Sequence, residues 1–212
     1  MSTSTETRAP WWVANQVQLP AATSGAVEVR QFTVGEEDAL GQMLAAMKGG
    51  RSVPAGTYTG LYRSGSLWMS DTPDEQRDAW DFQRAVRARG GRVLINGLGL
   101  GMTVGMALDA GAEHVDVVEV DPDVVALVGP TWEATGKVTV HLGDAYDQQW
   151  PKGARWTCAW HDIWETLCTD DLALHSRLLR KYGRRVDWQE AWGHDLLVAR
   201  RRQEQHNPWG SW

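Results

Sequence analysis

Arg92-Val-Leu-Ile-Asn-Gly-Leu-Gly-Leu-Gly-Met102, followed by Val115-Asp-Val-Val-Glu-Val-Asp121, decides the fold. The first run is short and aliphatic and breaks into three alternating glycines. An amphipathic segment follows over residues 102–110, and then a second apolar run that ends on acids. The pattern predicts strand, tight turn, helix and parallel strand, the unit that holds a nucleotide at the carboxyl edge of an open sheet.

The turn carries the chemistry. Gly97, Gly99 and Gly101 allow positive φ and put no Cβ between the chain and a ligand. The helix that starts there points free N–H groups at whatever lies over the turn. Glu119 ends the second run about 20 residues beyond Gly97, where a carboxylate suits a ribose diol. A dinucleotide fingerprint requires G-x-G-x-x-G, and here the third glycine stands one place early. That spacing favours S-adenosyl-L-methionine (SAM), which has a carboxylate-bearing tail but no pyrophosphate.

Working outward, residues 1–24 are rich in Ser, Thr, Ala and Pro and read as a flexible arm, or one ordered only by docking Trp11-Trp12. Residues 25–72 read as a small β-rich cap. It holds an alternating strand over 27–34, a helix over 36–47 stopping at Gly49-Gly50, and a hairpin through Ser64-Gly65. Residues 73–212 read as the Rossmann-like domain. A helix opens at Pro73 with Asp74 and Glu75 in its first turn and runs to Arg89. After Asp121-Pro122 a helix is expected through Val128, then strands over 137–142 and 156–161, and a helix over 172–182. Residues 186–199 fit two strands, or a helix followed by one strand. Arg200-Arg-Arg202 reads as a solvated end, with a phosphate patch as the alternative.

In an open parallel sheet, ligands collect beyond the carboxyl ends of the strands. Gly97, Glu119, Asp144 and Asp162 each end one of four successive strands, so all four should face one crevice. Asp144, between Gly143 and Ala145, is either an acceptor for an adenine amino group or a helix cap. Asp162 is the candidate base, and Trp164, beyond the strand end, offers an aromatic face to a cation. Glu165 either positions an acceptor amine or caps a helix. His161 should face a covering helix rather than the crevice, because neighbours on a strand point oppositely.

At 212 residues the chain is about one domain, and 42% hydrophobic with 23% charged residues is ordinary for a globular protein. A net charge of −6 argues against a general nucleic-acid binder. No leader-like apolar segment opens the chain, and nowhere do about 18 apolar residues follow one another, so neither secretion nor membrane spanning is expected. Cys158 and Cys168 lack metal-type spacing, so no metal site is expected and a reducing cytoplasm fits. Thirteen tryptophans stand against two phenylalanines. Core packing, Trp80 and Trp132 included, accounts for most of them, and the excess leans toward a homodimer interface.

From about Thr57 to Arg202 the chain resembles class I SAM-dependent methyltransferases of the spermidine-synthase-like branch, particularly small methyltransferase-type proteins of actinobacterial phages. The residues that carry the likeness are Thr57-Tyr-Thr, Trp68-Met-Ser-Asp-Thr-Pro-Asp-Glu75, Val93 to Met102 and Trp160-His-Asp-Ile-Trp164. The resemblance implies a doubly wound, mostly parallel sheet behind the cap. It also implies cofactor contacts from Asn96, Gly97, Gly99, Gly101, Glu119, Val120, Asp121, Gly143, Asp144, Ala145 and Asp162. Asp162, Trp164 and Glu165 fall at the catalytic positions. Aminopropyltransferases carry a second Asp and then Pro where this chain has Glu165-Thr166, which disfavours polyamine chemistry. Asp162-Ile-Trp-Glu165 also lacks the prolines of amino methyltransferases that act on nucleobases. Three functions follow: methyl transfer to a small molecule or protein side chain, transfer or cyclisation of another part of SAM, or binding without turnover. The setting implied is a cytoplasm, the host's if the chain is phage-encoded.

Overall fold

The computed structural model describes residues 11–46 and 53–206 of the chain. Residue 47 and Gly49-Gly50, the expected end and stop of the cap helix, lie outside the described residues, as do residues 1–10.

An antiparallel sheet comes first, in the order β1 (Ala22–Ser24), β2 (Val27–Val34), β3 (Gly56–Arg63), β4 (Ser66–Ser70). Helix α1 (Glu36–Ala46) leaves it between β2 and β3. The hairpin turns at Ser64 and Gly65, both with positive φ, as its sequence demands. The second sheet contains β5 (Arg92–Asn96), β6 (His114–Glu119), β7 (Val138–Leu142), β8 (Trp156–His161) and β9 (Val186–Ala191). Its order is β7-β6-β5-β8-β9 and every pairing is parallel. This is the Rossmann-like doubly wound fold, with the β-rich cap in front of it.

Both faces of the parallel sheet are covered, which is why β5 and β6 read as continuous apolar runs. Val93, Ile95, Val115, Val117, Cys158 and Trp160 point to one side. They pack with Phe82 and Val86 of α3 (Trp80–Arg89), Val104 and Met106 of α4 (Met102–Asp109), and Val124 and Val128 of α5 (Pro122–Glu133). Leu94, Val118 and Ala159 point to the other side, against Leu178 and Tyr182 of α6 (Leu172–Tyr182). The two-residue period thus separates two cores, each fully buried side chain contributing about 1.5–3 kcal/mol.

Four expectations need revision. The helix expected from residue 73 to 89 is two, α2 (Pro73–Asp78) and α3, broken at Ala79 where φ is −102° and ψ 10°. The helix expected to end at Val128 runs on to Glu133, with Pro130 inside it. Residues 186–199 form neither arrangement: β9 comes first and α7 (His194–His206) follows. The long run of Arg, Gln and Glu after residue 199 extends that helix, and Arg201 donates to the Thr169 carbonyl at 2.8 Å. Trp80, expected in the core, is 39% exposed.

The stretch expected as an arm docks from Trp11 onward. Trp11–Asn15 forms a 3-10 turn, the Trp12 carbonyl accepts from Gln76 Nε2, and Val17 is buried. Asp71 holds it: one carboxylate oxygen accepts Val17 N–H and the other Thr59 N–H, at 3.0 and 2.8 Å. Composition hides this because the tether sits outside the arm. No helix among the described residues is long and apolar enough to cross a membrane.

Asp116, on β6, is the most heavily bonded buried acid of the sheet. It accepts Arg92 Nε and Nη2 at 2.5 and 2.8 Å and Trp156 Nε1 at 2.7 Å, and it lies 3.2 Å from His141 Nε2. Burial pushes its pKa up, but the Arg92, Trp156 and His141 bonds outweigh that and hold it below the usual carboxylate range. A depressed pKa contributes stability above the unfolded value that is lost as pH falls through the folded one. Asp116→Ala leaves a buried indole N–H and a guanidinium unpaired and is expected to cost about 3 kcal/mol at pH 7 in urea denaturation. The difference from wild type should shrink below about pH 4.

Candidate active site

The parallel register sets the four expected strand ends side by side. Backbone bonds extend past the strands, from Gly97 N to Val118 O, Gly143 N to Glu119 O, and Asp162 N to Asn96 O, each 2.8 Å. Above them lies a cavity of about 470 Å³, within the range of small-molecule sites. Gly97, Gly99, Glu119, Val120, Gly143, Asp144, Ala145, Asp162, Trp164 and Glu165 all line it.

Three residues assigned to the cofactor are not on the lining. The Asn96 side chain points to the α6 side of the sheet, where its Nδ2 lies 2.7 Å from His161 Nδ1. Asp121 is occupied as the N-cap of α5, accepting Asp123 N–H at 2.9 Å, and by Arg63 at 2.5 Å. Gly101 makes room for a neighbour instead, since a Cβ there would overlap the Trp132 indole nitrogen. The other two glycines are similarly constrained by the protein. A Cβ on Gly97 would overlap the Asp162 carbonyl oxygen, and one on Gly99 the Met69 sulfur. All three have positive φ, so the spacing of the motif is a packing requirement as well as a binding one.

Glu119 is 7% exposed and braces the turn. Its Oε2 accepts Leu98 N–H at 2.8 Å and its Oε1 Asp121 N–H at 2.9 Å. Each carboxylate oxygen keeps a second lone pair, so a diol can still donate to it. Asp144 accepts Tyr146 N–H at 2.7 Å, which sets the turn after β7 rather than capping a regular helix. Ala145 is buried beneath it.

Asp162 stands beside the turn, its carbonyl oxygen against Gly97. Burial raises its pKa to about 7, helped by the Glu75 and Asp78 carboxylates and opposed by the Trp160 indole. Glu75 accepts Ser70 N–H and Ser70 Oγ–H (2.6 Å), and Asp78 accepts Trp192 Nε1–H at 3.1 Å. Trp164 stacks on His175 with ring centroids 3.6 Å apart, which fixes it as a wall. Glu165 caps no helix. It is exposed and accepts Arg63 Nη1–H at 2.9 Å. His161 faces α6 as expected, stacked on Tyr182 and 3.1 Å from Gln189 Oε1, and burial lowers its pKa to about 4. Trp160, within β8, is 1% exposed yet also lines the cavity.

Periodicity missed what the cap contributes. Arg63, Trp68 and Met69 reach over the strand ends from the β3–β4 hairpin, with the Arg63 guanidinium 3.7 Å above the Trp68 ring. The hairpin itself is legible, but nothing in its spacing says that it hangs over the sheet. Glu75 reads as a first-turn acid and Asp78 ends α2 at the break before Ala79, yet both line the cavity. Among the described residues, no group of three His, Cys, Asp or Glu could hold a metal ion.

No protein-family model matches the sequence, and no curated protein does. Solved structures align with part of it. A proposed RNA methyltransferase from Pyrococcus horikoshii shares 22% identity over 63% of this chain and 64% of that one, with a TM-score of 0.44. The N-methyltransferase NodS from Bradyrhizobium japonicum shares 8% over 53% and 62%, also at 0.44. The CcbJ methyltransferase from Streptomyces caelestis shares 20% over 54% and 45%, at 0.42. The chain spans less than two thirds of each, and likenesses this slight carry no functional weight.

A raised carboxyl pKa means that the folded state holds the proton more tightly than the unfolded one. That stability is fully present below about pH 4 and is lost as pH rises through about 7. Asp162→Asn should therefore gain stability relative to wild type between pH 5 and 8 in urea titrations. Glu190, raised to about 7 by burial and by Asp81 and Asp195, keeps part of the slope in both proteins. An unchanged difference across that range would place Asp162 in water.

Proposed function

We propose that the chain is a SAM-dependent methyltransferase acting on a small molecule or a protein side chain. The observation that carries the reading is one cavity that gathers a glycine turn, a ribose-type acid and a candidate base. The glycine turn and Glu119 line it together with Asp162, a half-buried acid beside Gly97 and among tryptophans. The residues fit the adenosine part of SAM: Glu119 for the ribose diol, Val120 and Ala145 for the flat faces of the base, Asp144 for its amino group. Leu100 N–H, held only by the Met69 thioether, suits a tail carboxylate. When bound, SAM supplies a methyl group activated on a sulfonium. Asp162, with a pKa near 7, is matched to taking a proton from an acceptor nucleophile at neutral pH. Trp164 and Trp160 give the cavity aromatic walls for a cation, and Glu75 and Asp78 add negative charge. These features suit an acceptor amine.

The same lining supports the class I methyltransferase kinship read from the sequence. The finer placement, in the spermidine-synthase-like branch and beside phage proteins, rests on the residue runs quoted above. A cytoplasmic setting, no nucleic-acid or membrane partner, and a homodimer belong to the same proposal, as does the division at residues 24 and 72. One observation favours a second reading, in which another part of SAM is transferred or cyclised. Glu75 joins Asp162 on the cavity wall, and a single base would suffice for methyl transfer. Binding without turnover is the third.

The product separates them. Incubation with SAM and a panel of amines and peptides should release S-adenosylhomocysteine, whereas methylthioadenosine would favour the second reading. Asp162→Asn should lower kcat about 10²–10⁴-fold while the affinity for S-adenosylhomocysteine, measured by calorimetry, stays within about twofold. Wild-type kcat/KM should rise with pH through about 7, because the base works only deprotonated. Full activity of Asp162→Asn would remove it from the chemistry, and binding with no product from any acceptor would leave the third reading.

A further inference from the structure

Met69 lies over the glycine turn. It lies on β4 of the cap, yet its thioether sulfur reaches the glycine turn and accepts Leu100 N–H at 3.3 Å. It abuts Gly99 so closely that a Cβ there would overlap the sulfur. Met69 and Gly99 both line the cavity. The neighbouring amides have strong acceptors: Gly97 N–H a carbonyl, Leu98 N–H a carboxylate, and Gly101 N–H a carbonyl. Leu100 N–H instead meets a thioether, a weak acceptor that a carboxylate would outcompete.

We propose that Met69 is the residue that sets specificity for the amino-acid tail of the ligand, holding the place of that tail until it is displaced. A methionine side chain suits the task, being apolar, unbranched, and able to swing aside about three rotatable bonds. A nucleoside without the tail would bind with Met69 in place, while SAM or S-adenosylhomocysteine must move it. The inference rests on the reading that the cavity takes SAM.

The test compares two ligands that differ only in the tail. Calorimetry would give Kd for methylthioadenosine and for S-adenosylhomocysteine on wild type, Met69→Ala and the volume-conserving Met69→Leu. Met69→Ala should tighten S-adenosylhomocysteine several-fold, on the order of tenfold at most, and leave methylthioadenosine within about twofold. Met69→Leu, which keeps the bulk and removes the acceptor, should fall between wild type and Met69→Ala. In wild type, oxidation of Met69 by dilute peroxide, followed by peptide mass spectrometry, should accelerate with saturating S-adenosylhomocysteine and not with methylthioadenosine. Equal effects on both ligands, or weaker S-adenosylhomocysteine binding in Met69→Ala, would make Met69 a fixed wall and overturn the proposal. If neither ligand binds wild type, the cofactor reading itself fails. If both bind and Met69→Ala changes neither, only the role of Met69 fails.

Discussion

Three hydrogen bonds beyond the last strand residues hold the site level: Gly97 N to Val118 O, Gly143 N to Glu119 O, and Asp162 N to Asn96 O. A parallel sheet needs no such extension to be stable, and its loops are free to leave the strands at different heights. Here the ladder continues one residue into each loop, so the glycine turn, the two loops beside it and Asp162 start from one plane. The Gly97 position joins two of these constraints, because its missing Cβ is what lets the Asp162 carbonyl approach. A side chain at residue 97 would push the fourth strand's exit away from the first. Binding turn and candidate base are therefore positioned by the same contact.

Two layers of this molecule were legible to different degrees. The parallel unit could be read from Arg92 to Asp121 because a strand buried on both faces, a glycine turn and an amphipathic segment leave distinct local signals. The prediction that His161 and Asp162 diverge also held, because alternation is a property of the backbone. The cap residues over the cavity were not legible. Arg63, Trp68 and Met69 reach the site through the docking of one sheet on another, and no local pattern encodes that. The resemblance implied Asp121 as a cofactor contact, yet Arg63, far away in sequence, takes its carboxylate. Residues 186–199 misled for another reason. A short edge strand with Asp, Gln and Glu carries little periodicity, and the helix after it is polar nearly all round.

The cap and the parallel sheet are coupled at both rims of the cavity by one guanidinium. Arg63 pairs with Asp121, at the start of α5, and with Glu165, beyond β8, while lying flat over Trp68. Each pair alone is worth little, because Arg63 and Glu165 are substantially exposed. Their joint effect is geometric: one side chain spans from the rim beside Glu119 to the rim beside Asp162. Ser24 adds an anchor lower down by donating to Asp123 at 2.7 Å.

The tryptophans explain how so small a sheet is covered. No helix lies between β7 and β8, so the side of β6 and β7 opposite α5 has a loop where a doubly wound fold commonly has a helix. Trp150, from that loop, packs edge-on against Trp156 at 4.8 Å and His141 at 4.9 Å, and Trp156 donates to Asp116. Across the sheet, Trp132 fills the space left by Gly101 and Gly105, and Phe82 packs against both Trp160 and Trp188. Each large ring buries the area of two or three aliphatic side chains from a single backbone position. Glycine and tryptophan are thus complementary here. Glycines let backbone and rings approach where the ligand turn must be tight, and rings close the gaps where a helix is missing. Among the described residues, most of the tryptophans pack into or against the two cores. A substitution at Gly105 would then act first on Trp132 and only through it on the turn.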